Sequence, residues 1–556
     1  MVNSKRGKKR LWVAVGIIMF LVVAFFAGRY LLYVSIRNAI EAELASLKEQ
    51  EIFVDYDHLE VNPWKGKIEF LRLTVNVRKD NDKAEGLAAI IPYVLIKGID
   101  VIPFLTNKTL SVHTIMAEDA AIIYAEGSTL FQQDSTDRRK ITVKNISIDR
   151  IAFPGIDLYV TDRERKDTLA HLLTDIHMED LFLKKQLDSM TWQRGQILIS
   201  DLALKTHQNQ YGFSAKRMSM KIEDRSIAID SFMVKPVLGK AEYMQFVGKQ
   251  DDYIDAVVPE IRINNISWYV YPKPVLMVNQ ITTRFYMNLF RDKRLPFREV
   301  KEKKLPAHLL QSLPFEVKVD TILIKKSYIR YEEHPEEGES SGSIYFDDLY
   351  ATILEVNNNP ALRQRTTVTA LTRFMGTGTL NAFFTLPYDT TAPYTATGTL
   401  ENMPLADVNP MLTPAVKAKI ERGRMKKLSF DFSYTPAGSK GEVLLNYEDL
   451  KILTLRGSGE DEEKVSHIKT LLLNTFIIKK NMNEDMEADE RTGKIDFERD
   501  PFRSVFNLWW KSILSGLKSA YNLDNLPLSG GNNKPEEDDE PKKKKKGIKG
   551  VLSRIF

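Results

Sequence analysis

Residues 317–331 read VKVDTILIKKSYIRY, and their spacing decides the fold. Val317 and Val319 alternate with polar neighbours; Ile322 and Ile324 resume the alternation one position late, and Ser327, Ile329 and Tyr331 resume it after a second slip. Alternation with period two puts apolar residues on one face of a strand, and a one-residue slip is what a β-bulge or tight bend inserts. Residues 110–124, LSVHTIMAEDAAIIY, follow the same template through Leu110, Val112, Ile115, Ala117, Ala120, Ile122 and Tyr124. Shorter alternations start at 68, 141, 197 and 261, where Ile68, Phe70 and Val75, and then Ile141 and Val143, mark one face. Uneven spacing of these starts argues against a strict repeat array. The chain between 52 and 480 therefore reads as strand after strand. At roughly 14 residues per strand and turn it would hold about 30 strands, which at about 4.8 Å each reach on the order of 140 Å.

Composition narrows the function. With no cysteine in 556 residues there is no disulfide framework, thiolate nucleophile or Cys-ligated metal. Lys and Arg number 79 against 74 Asp and Glu, a net charge of +5. Residues 1–10 carry five cations and residues 542–556 carry seven, neither stretch holding an acid, so residues 11–541 stand at −7. The body is slightly acidic, which argues against a nucleic-acid partner.

The two ends look membrane-directed. LWVAVGIIMFLVVAFFA (11–27), continued by LLYV (31–34), is long enough as a helix to cross a hydrocarbon core. We read 11–34 as a retained transmembrane helix rather than a cleaved leader, with the basic segment 1–10 cytoplasmic and the rest outside the cytoplasm. Ile36, Ile40, Leu44 and Leu47 then predict an amphipathic helix over 35–51. Within the 52–480 body, the charged stretch 281–312 and the segment 404–423, stopping at Gly423, read as helical interruptions. Residues 481–500 read as a polar linker, 501–523 as an amphipathic helix, 524–541 as a disordered linker, and 542–556 as a basic amphipathic tail. Trp509 and Trp510 suit a membrane interface as well as packing on the β body. In the tail, Lys542, Lys543, Lys544, Lys545 and Lys546 precede Ile548, Val551, Leu552, Ile555 and Phe556, which share one helical face; this pairs a polybasic patch with an apolar stripe.

Motifs of covalent chemistry are weak. Gly338-Glu339-Ser340-Ser341-Gly342 matches G-x-S-x-G, but it follows an acidic loop and precedes a strand-like segment, whereas a nucleophile elbow joins a strand to a helix. A triad with His467 is formally possible; a hairpin loop is the simpler reading. Asp55-Tyr56-Asp57-His58 reads as a polar turn rather than a metal cluster, and His171 and His177 lack a third ligand at metal-site spacing. No P-loop is present, and we expect no enzyme activity, cofactor or metal.

The segments 59–77, LEVNPWKGKIEFLRLTVNV, and 88–124, beginning AAIIPYVLIKGID, together resemble the start of AsmA-like bacterial envelope proteins, and 397–434, containing the apolar-Asn-Pro segment VNPML, is similar to their C-terminal region. The resemblance covers both ends of the β body and its middle by texture. It implies a mostly β fold, an elongated and curved antiparallel β-groove behind an N-terminal transmembrane helix, in the bacterial inner membrane with a periplasmic body. It also implies lipid movement or homeostasis in the envelope, as in bridge-like lipid transfer proteins. The charged 281–312 stretch and the lysine tail have no counterpart in that pattern. The expectation is a non-enzymatic protein that conducts phospholipid acyl chains over Ile68, Phe70, Val75, Leu110, Val112, Ile141, Val143, Val317 and Val319. Its expected partners are the inner membrane and, at the C-terminal end, the opposite membrane or an envelope protein. The alternative is a scaffold for outer-membrane protein assembly.

Overall fold

A computed structural model describes residues 30, 33–48, 51–78, 85–100, 109–126, 145–162, 167–184, 189–191, 193–206, 210–269, 274–297, 302–337, 339–389, 391–416, 418–456, 464–465 and 491–520. Ile141, Val143, His467, most of the 11–34 segment and the whole 542–556 tail lie outside them. Among the described residues, no helix is long and apolar enough to cross a membrane. The protein is mostly β, and the body expected as one piece divides into two compact units, Met1–Asn209 with Phe213–Asp224, and Gln210–Gly212 with Arg225–Phe556.

In the first unit, helix α1 (33–47) precedes β1 (Ile52–Asp55), β2 (His58–Asn62), β3 (Lys67–Arg78), β4 (Glu85–Asp100), β5 (Thr109–Glu118), β6 (Ala121–Ala125), β7 (Asn145–Thr161), β8 (Thr168–Lys184), β9 (Ser189–Thr191) and β10 (Arg194–Lys205), with most of β11 (Tyr211–Lys221). Neighbours pair antiparallel except where β7 runs parallel to β5 and β6. That corrects the wholly antiparallel expectation. A parallel pair needs a crossover, and residues 126–144 supply the length.

The second unit holds β12 (Ser226–Pro236), α2 (Lys240–Val247), β13 (Tyr253–Tyr269), β14 (Val275–Asp292), α3 (Pro306–Gln311), β15 (Glu316–His334), β16 (Gly342–Asn357), β17 (Thr366–Phe374), β18 (Gly378–Leu386) and β19 (Tyr394–Pro404). It continues with α4 (Asn409–Val416), β20 (Ala418–Tyr434), β21 (Gly438–Arg456), β22 (Lys464–Val465), β23 (Arg491–Glu498) and α5 (Val505–Ala520). Here β14 and β15 are parallel, joined by the crossover that contains α3, and the other paired strands are antiparallel.

Several expectations are corrected. The stretch 281–292 is the second half of strand β14, not helical; among the described residues of 281–312, only Pro306–Gln311 is α-helix. Gly423 does not stop a helix: α4 ends at Val416, and Gly423 lies inside β20. The supposed linker contains β23, which pairs with β21 from Gly438↔Glu498 to Leu445↔Arg491. Twenty-three strands are described, and a phase slip need not end a strand: β15 runs 19 residues straight through both slips.

The slips have a common geometry. In β3, β8, β12, β13, β16 and β19 the apolar pairs Phe70/Leu73, Met178/Leu181, Ile229/Phe232, Ile263/Ile266, Ile353/Val356 and Leu400/Met403 stand three apart rather than two. The residue before the second member has positive φ in each: Arg72 at 50°, Asp180 at 55°, Ser231 at 54°, Asn265 at 53°, Glu355 at 57° and Asn402 at 57°. A left-handed residue rotates the strand so that the next side chain returns to the face just left. The paired strand slips with it, so register is kept: Ile263↔Ile281 and Ile266↔Val278 have the same offset.

Candidate functional site

Because directly paired residues share a face, register shows what each face of the sheet carries. In the first unit one row runs Ile68–Ile96–Ile115–Ile151–Met178 across β3, β4, β5, β7 and β8. A second runs Val75–Ala89–Ile122–Leu158–Leu172, and a third Ile99–Val112–Ile148–Leu181. The β4 slip that keeps the third row in line with the first is set by Gly98 at φ 72°, whose missing Cβ leaves room for the Cβ of His113 opposite.

The opposite face is polar. His113 meets Asp149 at 2.9 Å, His171 meets Asp157 at 2.7 Å, and Arg194 meets Glu179 at 3.1 Å. Such exposed pairs add little stability individually but mark this face as the solvated one. Isolated apolar residues, including Ile90 and Ile123, are also exposed on it.

At the β2–β3 end the apolar face is covered. Tyr33, Ile36, Ile40 and Leu44 of α1 pack on Leu59, Val61 and Phe70, with Ile68 at the edge. Of the 35–51 stretch expected as an amphipathic helix, residues up to 47 are α-helical in α1, and two residues assigned to the open groove, Ile68 and Phe70, lie in its contact cluster. Away from α1 the side chains of Val75, Leu110, Ile122, Ile151 and Leu172 are half-buried. Val112 is 4% exposed. Among the described residues, α1 is the one long helical segment of this unit.

The second unit carries a longer row. It passes Ile227–Ile263–Ile281–Ile322–Ile353–Val368–Phe384–Ala396–Phe432–Gly441–Ile495, crossing β12 through β21 in order and ending on β23. Ile227 through Phe384 are half-buried, whereas Ala396, Phe432 and Ile495 are at most 2% exposed. Val317 and Val319 lie beside this row and are buried with Val278, against Leu310 of α3 and Phe315.

Helix α5 causes the change in burial. Leu508 is buried in the cluster formed by Tyr394, Phe430, Phe432, Tyr434, Val443, Leu445 and Ile495, and Val505, Trp509, Ile513 and Leu517 of α5 pack against it. Ser512 shares a 2.6 Å hydrogen bond with Ser439 of β21. Gly516 lets the helix approach closely: a Cβ there would lie 2.8 Å from Val443 and 2.9 Å from Ile495. Trp509 packs on the β body: it stacks on Phe384 at 4.4 Å and meets Tyr434 edge-on at 6.3 Å. Burial raises the Tyr434 hydroxyl above its ordinary pKa. Trp510 and Phe506 are exposed, Phe506 meeting Trp509 edge-on at 5.3 Å.

Of the sites weighed for chemistry, the triad partner His467 lies outside the described residues. Ser340 lies in the bend before β16, so G-x-S-x-G leads into a strand. Asp55-Tyr56-Asp57-His58 spans the turn from β1 to β2, with Tyr56 edge-on to Phe70 at 5.6 Å. No group of three His, Asp or Glu among the described residues is placed to hold a metal ion. The sequence reading missed the left-handed positions, although their signal was present: Asp180-Leu181, Asp201-Leu202, Asp348-Leu349 and Asp449-Leu450 all place a positive-φ Asp before Leu. No family model matches the chain, and no curated protein matches its sequence.

Proposed function

We propose that the protein binds the acyl chains of phospholipids along the half-buried apolar rows and passes them along the sheet, without covalent chemistry. The observation that carries this reading is the row from Ile227 to Ile495. Its residues are apolar on ten of eleven strands, with Gly441 the exception, and it is half-buried over seven strands before α5 covers it. An apolar face of that length in water is an aggregation surface unless something occupies it, and a row without side-chain hydrogen-bond groups selects for hydrocarbon rather than for a polar ligand. The resemblance to AsmA-like proteins, an N-terminal membrane anchor and placement in a bacterial envelope belong to the same proposal. In it α1 and α5 are the covered ends of two lipid-binding stretches.

A photocrosslinking amino acid placed at Ile322 or at its neighbour Leu323 tests this in cells. Ile322 shares the face of the long row and Leu323 takes the other. The proposal expects a phospholipid adduct at 322 and none at 323; equal labelling, or none at either position, refutes it.

A further inference from the structure

We propose that the second unit holds a phosphate-binding pocket between α5 and the ends of β14, β15 and β23, formed by Arg291, Lys293, Arg503, Asn507 and Lys511. The cavity measures about 270 Å³ and is also lined by Tyr331, Glu333, Phe497 and Asp500. Nothing in the proposed lipid function requires it, and it stands whether or not the apolar rows take acyl chains.

Four cations meet two carboxylates in this lining. Glu333 is held by Lys293 at 2.7 Å and by the Tyr331 hydroxyl at 2.5 Å, and Asp500 lies 3.5 Å from Nε of Arg503. Arg291 gives Nε and Nη2 to Asp252, behind the cavity, at 2.9 and 2.6 Å. Arg503 gives Nη1 to Gln250 at 3.3 Å and stacks its guanidinium 3.6 Å over Phe297. Each guanidinium has five N–H donors in a planar fork, so both retain donors beyond these contacts. Asn507 and Lys511 stand four apart on α5 and so share one side of it, and Arg503 lies two residues before the helix begins.

The cations crowd one another. Burial, reinforced by Lys293, Lys518 and Arg503 and opposed by Glu333, lowers the Lys511 ammonium below its ordinary pKa. Burial, reinforced by Arg291, lowers Arg503. An anion seated among them relieves that repulsion and accepts charge-assisted hydrogen bonds, and a tetrahedral oxyanion suits a fork from each arginine with an ammonium between. Inorganic phosphate and the head of a phosphatidate offer the same chemistry.

Calorimetric titration of the full chain in phosphate-free detergent tests the pocket with two probes, inorganic phosphate and dihexanoyl phosphatidate. Saturable binding of inorganic phosphate is the expected result; binding of the short-chain lipid alone also supports the pocket and assigns the phosphate to a headgroup. Lys511→Gln should weaken the bound probe by about tenfold or more, while Lys511→Arg retains it. Asn507→Asp, which adds an anion to the lining, should abolish binding and serves as the test if Lys511→Gln fails to fold. No binding of either probe, or unchanged binding in a folded Lys511→Gln or Asn507→Asp protein, overturns the proposal.

Discussion

Trp509 stacks on Phe384 with ring centroids 4.4 Å apart and planes inclined by 29°. Phe384 is the last half-buried member of the long row, and Ala396, next across the ladder, has no exposed surface. The contact therefore marks where helix α5 begins to cover the apolar face. Truncation of a packed tryptophan leaves a cavity lined by Phe384, Tyr434 and Phe506, so Trp509→Ala should cost about 3–5 kcal/mol. Trp510, 52% exposed, should cost under about 1 kcal/mol when changed to Ala. Urea denaturation of the two variants decides it; equal losses would mean that α5 does not dock by its Trp509 face.

The two faces of β15 should respond oppositely to charge. Val319 is 6% exposed in a cluster with Val278 and Val317, so Val319→Asp buries an unpaired carboxylate and should cost several kcal/mol or abolish function. Lys318 sits on the solvated face beside Asp320 at 3.2 Å, and Lys318→Asp should change stability by about 1 kcal/mol or less. Val112→Asp and His113→Asp make the corresponding pair in the first unit. Thermal melts and complementation should separate the members of each pair, and equal tolerance would contradict a one-sided sheet.

Asp292 gives the second unit an acid-sensitive contact. Its carboxylate, 7% exposed, accepts Nε and Nη2 of Arg294 at 2.9 and 2.6 Å and the Arg294 backbone N–H at 3.0 Å. The Arg294 side-chain bonds lead the causes that hold it below the ordinary Asp pKa. A carboxyl lowered on folding contributes stability that is complete above its unfolded pKa of about 4 and is lost as pH falls through the lower folded value. Asp292→Asn should thus be less stable than the parent by about 2 kcal/mol at pH 7 and converge on it in acid. Urea midpoints followed from neutral pH down through that range provide the check; parallel curves would contradict the assignment.

Much of this arrangement was legible in the sequence. Val317, Ile322 and Ile329 announced a strand with two slips, and Ile36, Ile40 and Leu44 announced a helix with one sticky side; both form. What was not legible had physical causes. Strand β14 carries Arg284, Arg291 and Asp292, and these charges interrupt the apolar pattern that Val278 and Ile281 begin. Strand β23 presents only Ile495 and Phe497, too few for a period, and owes its place to pairing with β21 and cover from α5. Tryptophan at 509 suits an interface and a core alike, and nothing in the sequence foretells its stacking on Phe384 or the close approach of Gly516 to Val443 and Ile495. The slips read as β-bulges or tight bends, and the spacing did not show that left-handed residues such as Asp180 and Asn402 carry strands through them.

Native mass spectrometry of the full chain, released from mild detergent, tests the central claim most directly. A protein whose apolar rows hold acyl chains should retain phospholipid, seen as adducts at phospholipid mass increments that are released on harsher activation, and Ile322→Asp with Ile353→Asp should strip them. A monodisperse, fully soluble protein that carries no lipid would contradict the account.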